Sequence, residues 1–424
     1  MFRISLSIFS LLFSTGILLL GISLQSTLLG LRAGLENYSM TVTGIVMSSY
    51  FVGFALGSYY NPNIIRRFGH IRTYAALAAL ASAAAIAHAL YTEPWFWTLL
   101  RIISGFCVVG MYMIIESWLN SLASNAMRGK FFGLYMIITL LAMAIGQHLL
   151  RLGEVISFEL FAITTILITL ALVPVVLTRL REPEISQPKQ FGLLQLYTIS
   201  PLGVVGTLSA GLITGSFWGM GAVYAAQIGL DANGVAWLMS AIILGGALLQ
   251  WPLGLLSDMI DRRTVIQVCA FSGAGLALLN SVISIESSLL FYTVSFLFGG
   301  FVFIFYGLCA AHVHDQIDAD HSLEAAQGLL QLYGIGAIIG PLLTALSFNA
   351  FGSRGMLFLF ALIMFGLGLF TLLRMHQASA PAPEEQTSFV PLARTSPVAL
   401  EMSPINETSE TDAAEEDSAD KKIS

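Results

Sequence analysis

The sequence has 424 residues, of which 56% are hydrophobic and 10% are charged, and its mean hydropathy is +0.80. A soluble domain carries roughly 25% charged residues, so this composition excludes a soluble fold and predicts a membrane protein. The net charge of −6 is unevenly distributed. Residues 375–424 hold ten acidic and three basic residues, a charge of −7, which leaves +1 for the rest of the chain.

Charged residues and Pro/Gly clusters divide the chain into twelve apolar segments. They are 4–31, 41–61, 73–92, 95–120, 130–150, 157–178, 200–225, 235–256, 264–284, 288–311, 324–348 and 354–374. A run of 18 or more apolar residues suggests a membrane span. Each span must be a helix, because every backbone polar group in lipid needs an internal partner. The first segment is too long for a signal-peptide core, so we expect it to be retained.

Lysine and arginine residues in the short loops predict the orientation. A cytoplasmic N-terminus places twelve basic residues inside and three outside. The inner residues are Arg3, Arg66, Arg67, Arg72, Arg128, Lys130, Arg179, Arg181, Lys189, Arg262, Arg263 and Arg374; the outer residues are Arg32, Arg151 and Arg354. The excess predicts that both termini are cytoplasmic.

The polar stretch "TRLREPEISQPKQ" follows six segments and divides the membrane region into halves. The loop after helix 2, "PNIIRRFGHIR" (Pro62–Arg72), matches the loop after helix 8, "GLLSDMIDRR" (Gly254–Arg263), at an offset of 192 residues. Parallel six-helix halves describe a known transporter architecture. We therefore predict an all-α membrane protein with halves at 1–180 and 200–374, a cytoplasmic linker at 181–199, and a disordered acidic tail at 375–424.

These features resemble the major facilitator superfamily over residues 4–374. The family's loop motif G-x-x-x-D-[RK]-x-G-[RK]-[RK] is similar to Gly254, Asp258, Arg262 and Arg263 of the second loop. The first loop keeps Arg67 and Gly69, with Arg72 nearby, but has Pro62 and Arg66 where the motif has glycine and an acid. The family's R-x-x-x-G motif resembles Arg101 and Gly105. Within the superfamily, "SSYFVG", "IIESWLN", "RGKFFGLYM", "IGQHLL" and "LQWPLG" resemble the bacterial YcaD-type branch.

Two charged residues in helix 4 are candidates for a proton or substrate pathway. An arginine within a span usually faces a cavity or a partner, although Arg101 could instead extend to the outer surface. The resemblance associates it with proton or substrate handling. Glu116 lies fifteen residues later, about 22 Å along the helix axis and within about 60° of the same direction. It is a candidate proton-titrating carboxylate, and the alternative is a structural acid that pairs with cytoplasmic arginines.

Polar residues at similar positions of helices 1 and 7 are further candidates for the cavity wall. They are Gln25, Tyr224 and Gln227. Neighbouring helices could satisfy each of them instead. The stretch "HVHDQIDADH" (His312–His321) could bind a divalent metal, but His312 and His314 are poorly spaced for one helix face. We expect no metal, no cofactor and no nucleic-acid partner.

These observations predict a monomeric secondary transporter of a bacterial inner membrane, and no enzyme. Proton-coupled export of a small amphipathic molecule is favoured. Uptake of a small polar metabolite and a transporter-like receptor are the alternatives.

The charged loops predict a cytoplasmic gate. Asp258 and Asp261 would face the basic start of helix 5. Arg66, Arg67 and Arg72 would meet an acidic stretch that includes Asp315, Asp318, Asp320 and Glu324. This two-sided latch would stabilise the outward-open state. The alternative is that each group is solvated, since an exposed ion pair contributes only about 0–1 kcal/mol.

Overall fold

The structure is a computed structural model that describes residues 2–122, 125–178, 183, 192–286, 288–317 and 321–377, together with Gln386, Phe389, Thr395, Ser396, Val398 and Ala399. The described residues form fourteen α-helices and no strand. The prediction of an all-α membrane protein is therefore confirmed.

Six helices form the first half. They are α1 (Phe2–Leu35), α2 (Met40–Phe68), α3 (His70–Leu90), α4 (Pro94–Leu122), α5 (Asn125–Gln147) and α6 (Glu159–Leu177). A short 3₁₀ helix, His148–Leu152, continues α5. All six are long and apolar enough to cross a bilayer.

Eight helices follow in the second half. They are α7 (Leu193–Ile199), α8 (Pro201–Gln227), α9 (Ala232–Met259), α10 (Arg262–Val282), α11 (Ser288–Phe303), α12 (Phe305–His314), α13 (Ser322–Phe351) and α14 (Gly355–Gln377). Helix α7 has seven residues and is too short to span. Helices α11 and α12 form one span that is interrupted at Ile304. A three-residue turn joins α13 to α14 within one apolar stretch, 322–377, so the described residues hold eleven continuous stretches and twelve spans.

The two motif loops are tight turns that begin the next helix. Gly69 ends α2 with φ 84°, a conformation that favours glycine, and donates its N–H to the Ile65 carbonyl at 2.8 Å. Asp261, at the equivalent position of the second half, accepts the backbone N–H of Arg263 at 2.9 Å and caps α10. Each residue thus sets the turn between two antiparallel spans.

One helix crossing at which only glycine fits is repeated in both halves. A Cβ on Gly53 would lie 2.0 Å from the Ile102 carbonyl oxygen, and one on Gly105 would lie 2.0 Å from the Tyr50 oxygen. In the second half, a Cβ on Gly245 would lie 1.8 Å from the Phe296 oxygen, and one on Gly299 would lie 2.0 Å from the Ile242 oxygen. Positions 53 and 245 differ by 192, which is the offset of the motif loops. The internal repeat therefore extends from the loops into the packing of α2 on α4 and of α9 on α11.

The described hydrogen bonds between the two halves lie from the middle of the bundle to one end. We call the end where α1 begins and α14 ends the termini face, and the opposite end the far face. The bonded pairs are Ser26–Trp218, Ser48–Ile338, Met40–Gln227, Ala144–Ser240, His148–Ser240 and Thr41–Asn349. The halves are thus bonded directly toward the far face.

We predict that Gly53→Ala lowers the unfolding temperature, because the added methyl group overlaps a backbone oxygen that cannot rotate away. Overpacking of this kind costs about 1–3 kcal/mol. The measurement is fluorescence-detected size exclusion of detergent-solubilised protein after heating. Gly275→Ala is the matched control, because a Cβ there meets nothing within 4 Å. Equal unfolding temperatures for the two variants would contradict the prediction.

Candidate functional site

A cavity of about 490 Å³ lies between the two halves. Helices α1, α2, α4 and α5 line one side, and α8, α9, α11 and α13 line the other. Its wall is rich in aromatic rings and side-chain amides. These include Tyr50, Phe51, Phe54, Trp218, Phe303, Tyr333, Gln25, Gln250, Gln327 and Gln331. Among the described lining residues, Arg101 alone carries a formal charge. Such a wall suits a small molecule with both apolar and polar parts.

Arg101 lines the cavity and is held by an aromatic ring. Its side chain is 3% exposed, and its guanidinium carbon lies 4.4 Å from the centre of the Tyr50 ring. Its Nε has no hydrogen-bond partner among the described residues. Gly105, one turn further on, brings α4 against the Tyr50 backbone. The spacing of Arg101 and Gly105 therefore places a cation in the wall and lets α2 cover it.

Gln25 also lines the cavity, and its Nε2 has no hydrogen-bond partner among the described residues. The neighbouring polar groups of α1 are paired with α5. Thr27 donates to the Gln147 side-chain oxygen at 2.5 Å, and Gln147 donates through its Nε2 to the Ser23 hydroxyl at 2.7 Å. This pairing leaves the Gln25 amide free to meet a bound molecule.

Tyr224 and Gln227 lie outside the cavity, in contrast to the sequence prediction. Tyr224 is buried in the second half, and Gln227 contacts Met40 at the far face. The described residues of α8 that line the cavity are Thr214 and Trp218. Gln227 is nine residues beyond Trp218, a rise of about 13 Å. Comparing helix 7 with helix 1 in sequence therefore did not predict how far along the helix axis these residues lie from the cavity.

Glu116 is fully buried toward the termini end of α4, where three hydroxyl groups and the backbone N–H of Ala399 are bonded to its carboxylate. Tyr135 of α5 donates its hydroxyl to Oε1 at 2.5 Å. Thr395 donates to the same oxygen, and Ser396 donates to Oε2. Thr395 and Tyr112, one turn before Glu116, both line the cavity. The carboxylate thus lies beside the cavity and is covered by residues that follow the last helix.

Those residues also contact the second half. A Cβ on Gly254 would lie 2.2 Å from the Phe389 ring, and one on Gly307 would lie 2.9 Å from it. The Phe389 backbone N–H donates to Asp258 Oδ1 at 2.8 Å. The glycine and the acid of the loop motif therefore form a slot for an aromatic side chain. We call the surface formed by Gly254, Gly307 and Asp258, against which Phe389 packs, the glycine slot.

The tail was predicted to have no packed structure from residue 375 onward, and the structure differs at the described positions. Helix α14 continues to Gln377, and Ser396, Val398 and Ala399 are buried. The average composition of the tail is acidic, but one short stretch within it is apolar. The stretch "SFVPLARTSPVAL", residues 388–400, contains no acidic residue and is rich in apolar side chains.

The charged loop residues mainly pair within their own half. Arg262 binds Asp315 at 2.7 Å and Asp258 at 3.1 Å, and Arg263 binds Asp261 at 3.0 Å. Arg66 is exposed and bonded to Asn63, Arg67 lies 5.3 Å from the Phe68 ring centre, and Arg72 is exposed. Asp318 and Asp320 lie outside the described residues. The latch therefore stays a prediction, and it concerns the outward-open state.

Two parallel halves of six spans each, which enclose a central cavity, define a membrane transport protein. The Major Facilitator Superfamily profile matches residues 4–205 and again residues 203–404, one match for each half. The chain belongs to the Major Facilitator Superfamily. It is accordingly a transporter and not an enzyme.

Curated relatives and solved structures agree with this assignment. The chain is 25% identical over 375 residues to the uncharacterized MFS-type transporter YcaD of Escherichia fergusonii, a match that covers 88% of this chain and 97% of the relative. An uncharacterized MFS-type transporter of Enterobacter sp. (strain 638) is 25% identical over 359 residues, 84% of this chain and 93% of the relative.

Among solved structures, the nucleoside transporter NupG aligns with a TM-score of 0.73 and 14% identity, covering 88% of this chain and 100% of that one. A bacterial homologue of the human lysosomal transporter Spinster, in an inward-facing and unoccupied conformation, aligns with a TM-score of 0.74 and 12% identity. That match covers 91% of this chain and 99% of the other. These likenesses concern the fold.

We predict that Tyr50→Leu lowers the unfolding temperature more than Tyr50→Phe. Phenylalanine keeps a ring over the Arg101 guanidinium, whereas leucine leaves a buried cation without it. A desolvated cation–π contact is worth about 2 kcal/mol. The measurement is the thermal midpoint of each purified variant. A phenylalanine variant as unstable as the leucine variant would show that the ring does not stabilise Arg101.

Proposed function

We propose that the protein is a proton-coupled exporter of a small amphipathic compound in a bacterial inner membrane, and that it works by alternating access. The observation that carries this proposal is the composition of the cavity wall, in which aromatic rings and amides surround one cation, Arg101. Rings favour an apolar body. Arg101 and Gln25, each with an unpartnered nitrogen among the described residues, favour a polar or anionic group.

Glu116 is the proposed proton-carrying group. A buried carboxyl with no cationic partner among the described residues is a candidate for exchange between protonated and ionised forms. The described partners of Glu116 are the hydroxyls of Tyr135, Thr395 and Ser396 and the backbone N–H of Ala399. A hydroxyl can donate to a carboxylate or accept from a protonated carboxyl. The site thus accommodates either form, and its place beside the cavity supports coupling to the substrate.

The termini face is the proposed cytoplasmic face, on the basis of the positive-inside excess. In that orientation the motif loops lie in the cytoplasm. The latch between Asp258 and the start of α5, and between Arg66 and the α12–α13 loop, is proposed for the outward-open state. It would help to hold the termini face closed when the far face opens.

The four glutamines of the wall support one alternative, the uptake of a small polar metabolite. Accumulation assays in deletion and overexpression cells distinguish the two. The probes are carboxyfluorescein as an amphipathic anion, ethidium as an amphipathic cation, and radiolabelled uridine as a neutral polar solute, each with and without a proton uncoupler. Export predicts uncoupler-sensitive loss of an amphipathic probe from overexpressing cells. Uptake predicts greater uridine accumulation in those cells, and no change for any probe would contradict both.

We predict that Arg101→Ala and Glu116→Gln reduce gradient-driven transport by roughly tenfold or more, since a hydrogen bond to a charged group contributes about 1.5–3 kcal/mol. The measurement is the uncoupler-sensitive flux of the probe that responds in the accumulation assay. Arg354→Ala and Glu93→Gln are the matched controls, because both residues are exposed. Full transport by Arg101→Ala and Glu116→Gln at normal abundance would exclude both residues from the pathway.

A further inference from the structure

Residues beyond the last helix bind both halves at the termini end of the cavity. On the second half, the Phe389 ring occupies the glycine slot and its N–H is bonded to Asp258. Both glycines are necessary for this contact, because any side chain at Gly254 or Gly307 would overlap the ring. The contact is specific, since it combines a shaped apolar slot with one directed hydrogen bond.

The attachment to the first half is polar at its centre and apolar around it. Thr395 and Ser396 donate to the two different oxygens of Glu116, and Ser396 is completely buried. Val398 and Ala399 are buried in the apolar core of the same half. The backbone N–H of Val398 donates to the Ser396 hydroxyl at 3.2 Å. These contacts give the segment a second, chemically different anchor.

The two anchors are close along the chain. Phe389 and Thr395 are six residues apart, a reach of at most about 22 Å. A segment of this reach that is bound at both ends restricts the separation of the two halves. The described hydrogen bonds directly between the halves lie toward the far face, whereas these tail contacts lie toward the termini face. Thr395 also forms part of the cavity wall.

We propose that the tail segment containing Phe389, Thr395, Ser396, Val398 and Ala399 is an intramolecular plug. The glycine slot and Glu116 form its binding site, and the occupied site closes the cavity at the termini face. Release of the segment opens the cavity and frees the Glu116 carboxylate. The plug is thus a self-inhibitory element of the same chain. It rests on the contacts of the tail and does not depend on the substrate or the coupling ion.

Cysteine accessibility tests the plug without any transport assay. Met136 lines the cavity from α5 and is replaced by cysteine in full-length protein whose native Cys107, Cys269 and Cys309 are replaced by alanine. A charged maleimide is then applied to the protein in lipid nanodiscs. We expect Phe389→Ala to increase the labelling rate by about tenfold or more, because loss of the partly buried aromatic ring from the glycine slot weakens the anchor by that factor.

Two truncations provide matched variants. Ending the chain after Gln377 removes the plug and should increase labelling at least as much as Phe389→Ala. Ending it after Glu401 removes only the distal acidic residues, and this variant should be labelled at the same rate as the full-length protein. Equal labelling of the full-length and shortest chains would overturn the proposal. Increased labelling after the distal truncation would overturn the assignment of the plug to this segment.

A peptide of residues 388–400 tests the binding site itself. Fluorescence polarisation of the labelled peptide should show saturable binding to protein that ends after Gln377, and a scrambled peptide should not bind. Gly254→Leu in that protein should weaken binding by about tenfold or more, because its side chain fills the slot. Elution of this variant as a single size-exclusion peak shows that it is folded. Undiminished binding to the folded variant, or no binding to the parent, would overturn the proposed site.

Discussion

The close approach of two helix backbones in each half is the constraint on which the rest of this structure depends. At Gly53 with Gly105, and at Gly245 with Gly299, the helices are too close for any side chain. Helix association in lipid lacks a hydrophobic driving force between apolar surfaces and relies on van der Waals packing, which small residues permit. The crossing in the first half also places the Tyr50 ring over Arg101. The same helix crossing therefore determines both the packing of α2 on α4 and the surroundings of the charge in the cavity wall.

The two halves share a frame but differ in chemistry. The first half supplies Arg101 and Glu116. At the offset of the paired glycines 105 and 299, which is 194 residues, the equivalent positions in the second half are Ser295 and Ala310. The second half instead supplies the buried Arg262–Asp315 pair and the glycine slot. Breaking a buried ion pair is costly, about 3–5 kcal/mol, so this pair fixes the geometry of the loop that contains Asp258. One half thus carries the charged residues in and beside the cavity, and the other carries a buried ion pair and the glycine slot near its opening.

The sequence predicted the all-α fold and its apolar spans, because lipid imposes length and polarity on every span. The structure places Arg101 and Gln25 in the wall of the cavity. The depth of Tyr224 and Gln227 could not be predicted, since a pseudo-repeat aligns helices to within a few residues and each residue adds 1.5 Å. The contacts of Phe389 and Ser396 could not be predicted either. They join positions that are more than eighty residues apart in sequence, and the acidic composition of the tail concealed the short apolar stretch within it.

Asp258 has a place in both arrangements considered for the termini face. Here it accepts the Phe389 N–H and the Arg262 guanidinium, and it is only partly exposed. In the latch, the same carboxylate would face the start of α5 on the other half. The Phe389 ring lies against Gly254, one turn from Asp258, so the proposed plug and the proposed latch would use the same face of the loop. The plug and the latch are therefore alternative partners of one acid. An acid at this position, four residues after a glycine, can serve the latched state through a helix end and the plugged state through a peptide backbone, because a carboxylate accepts from either.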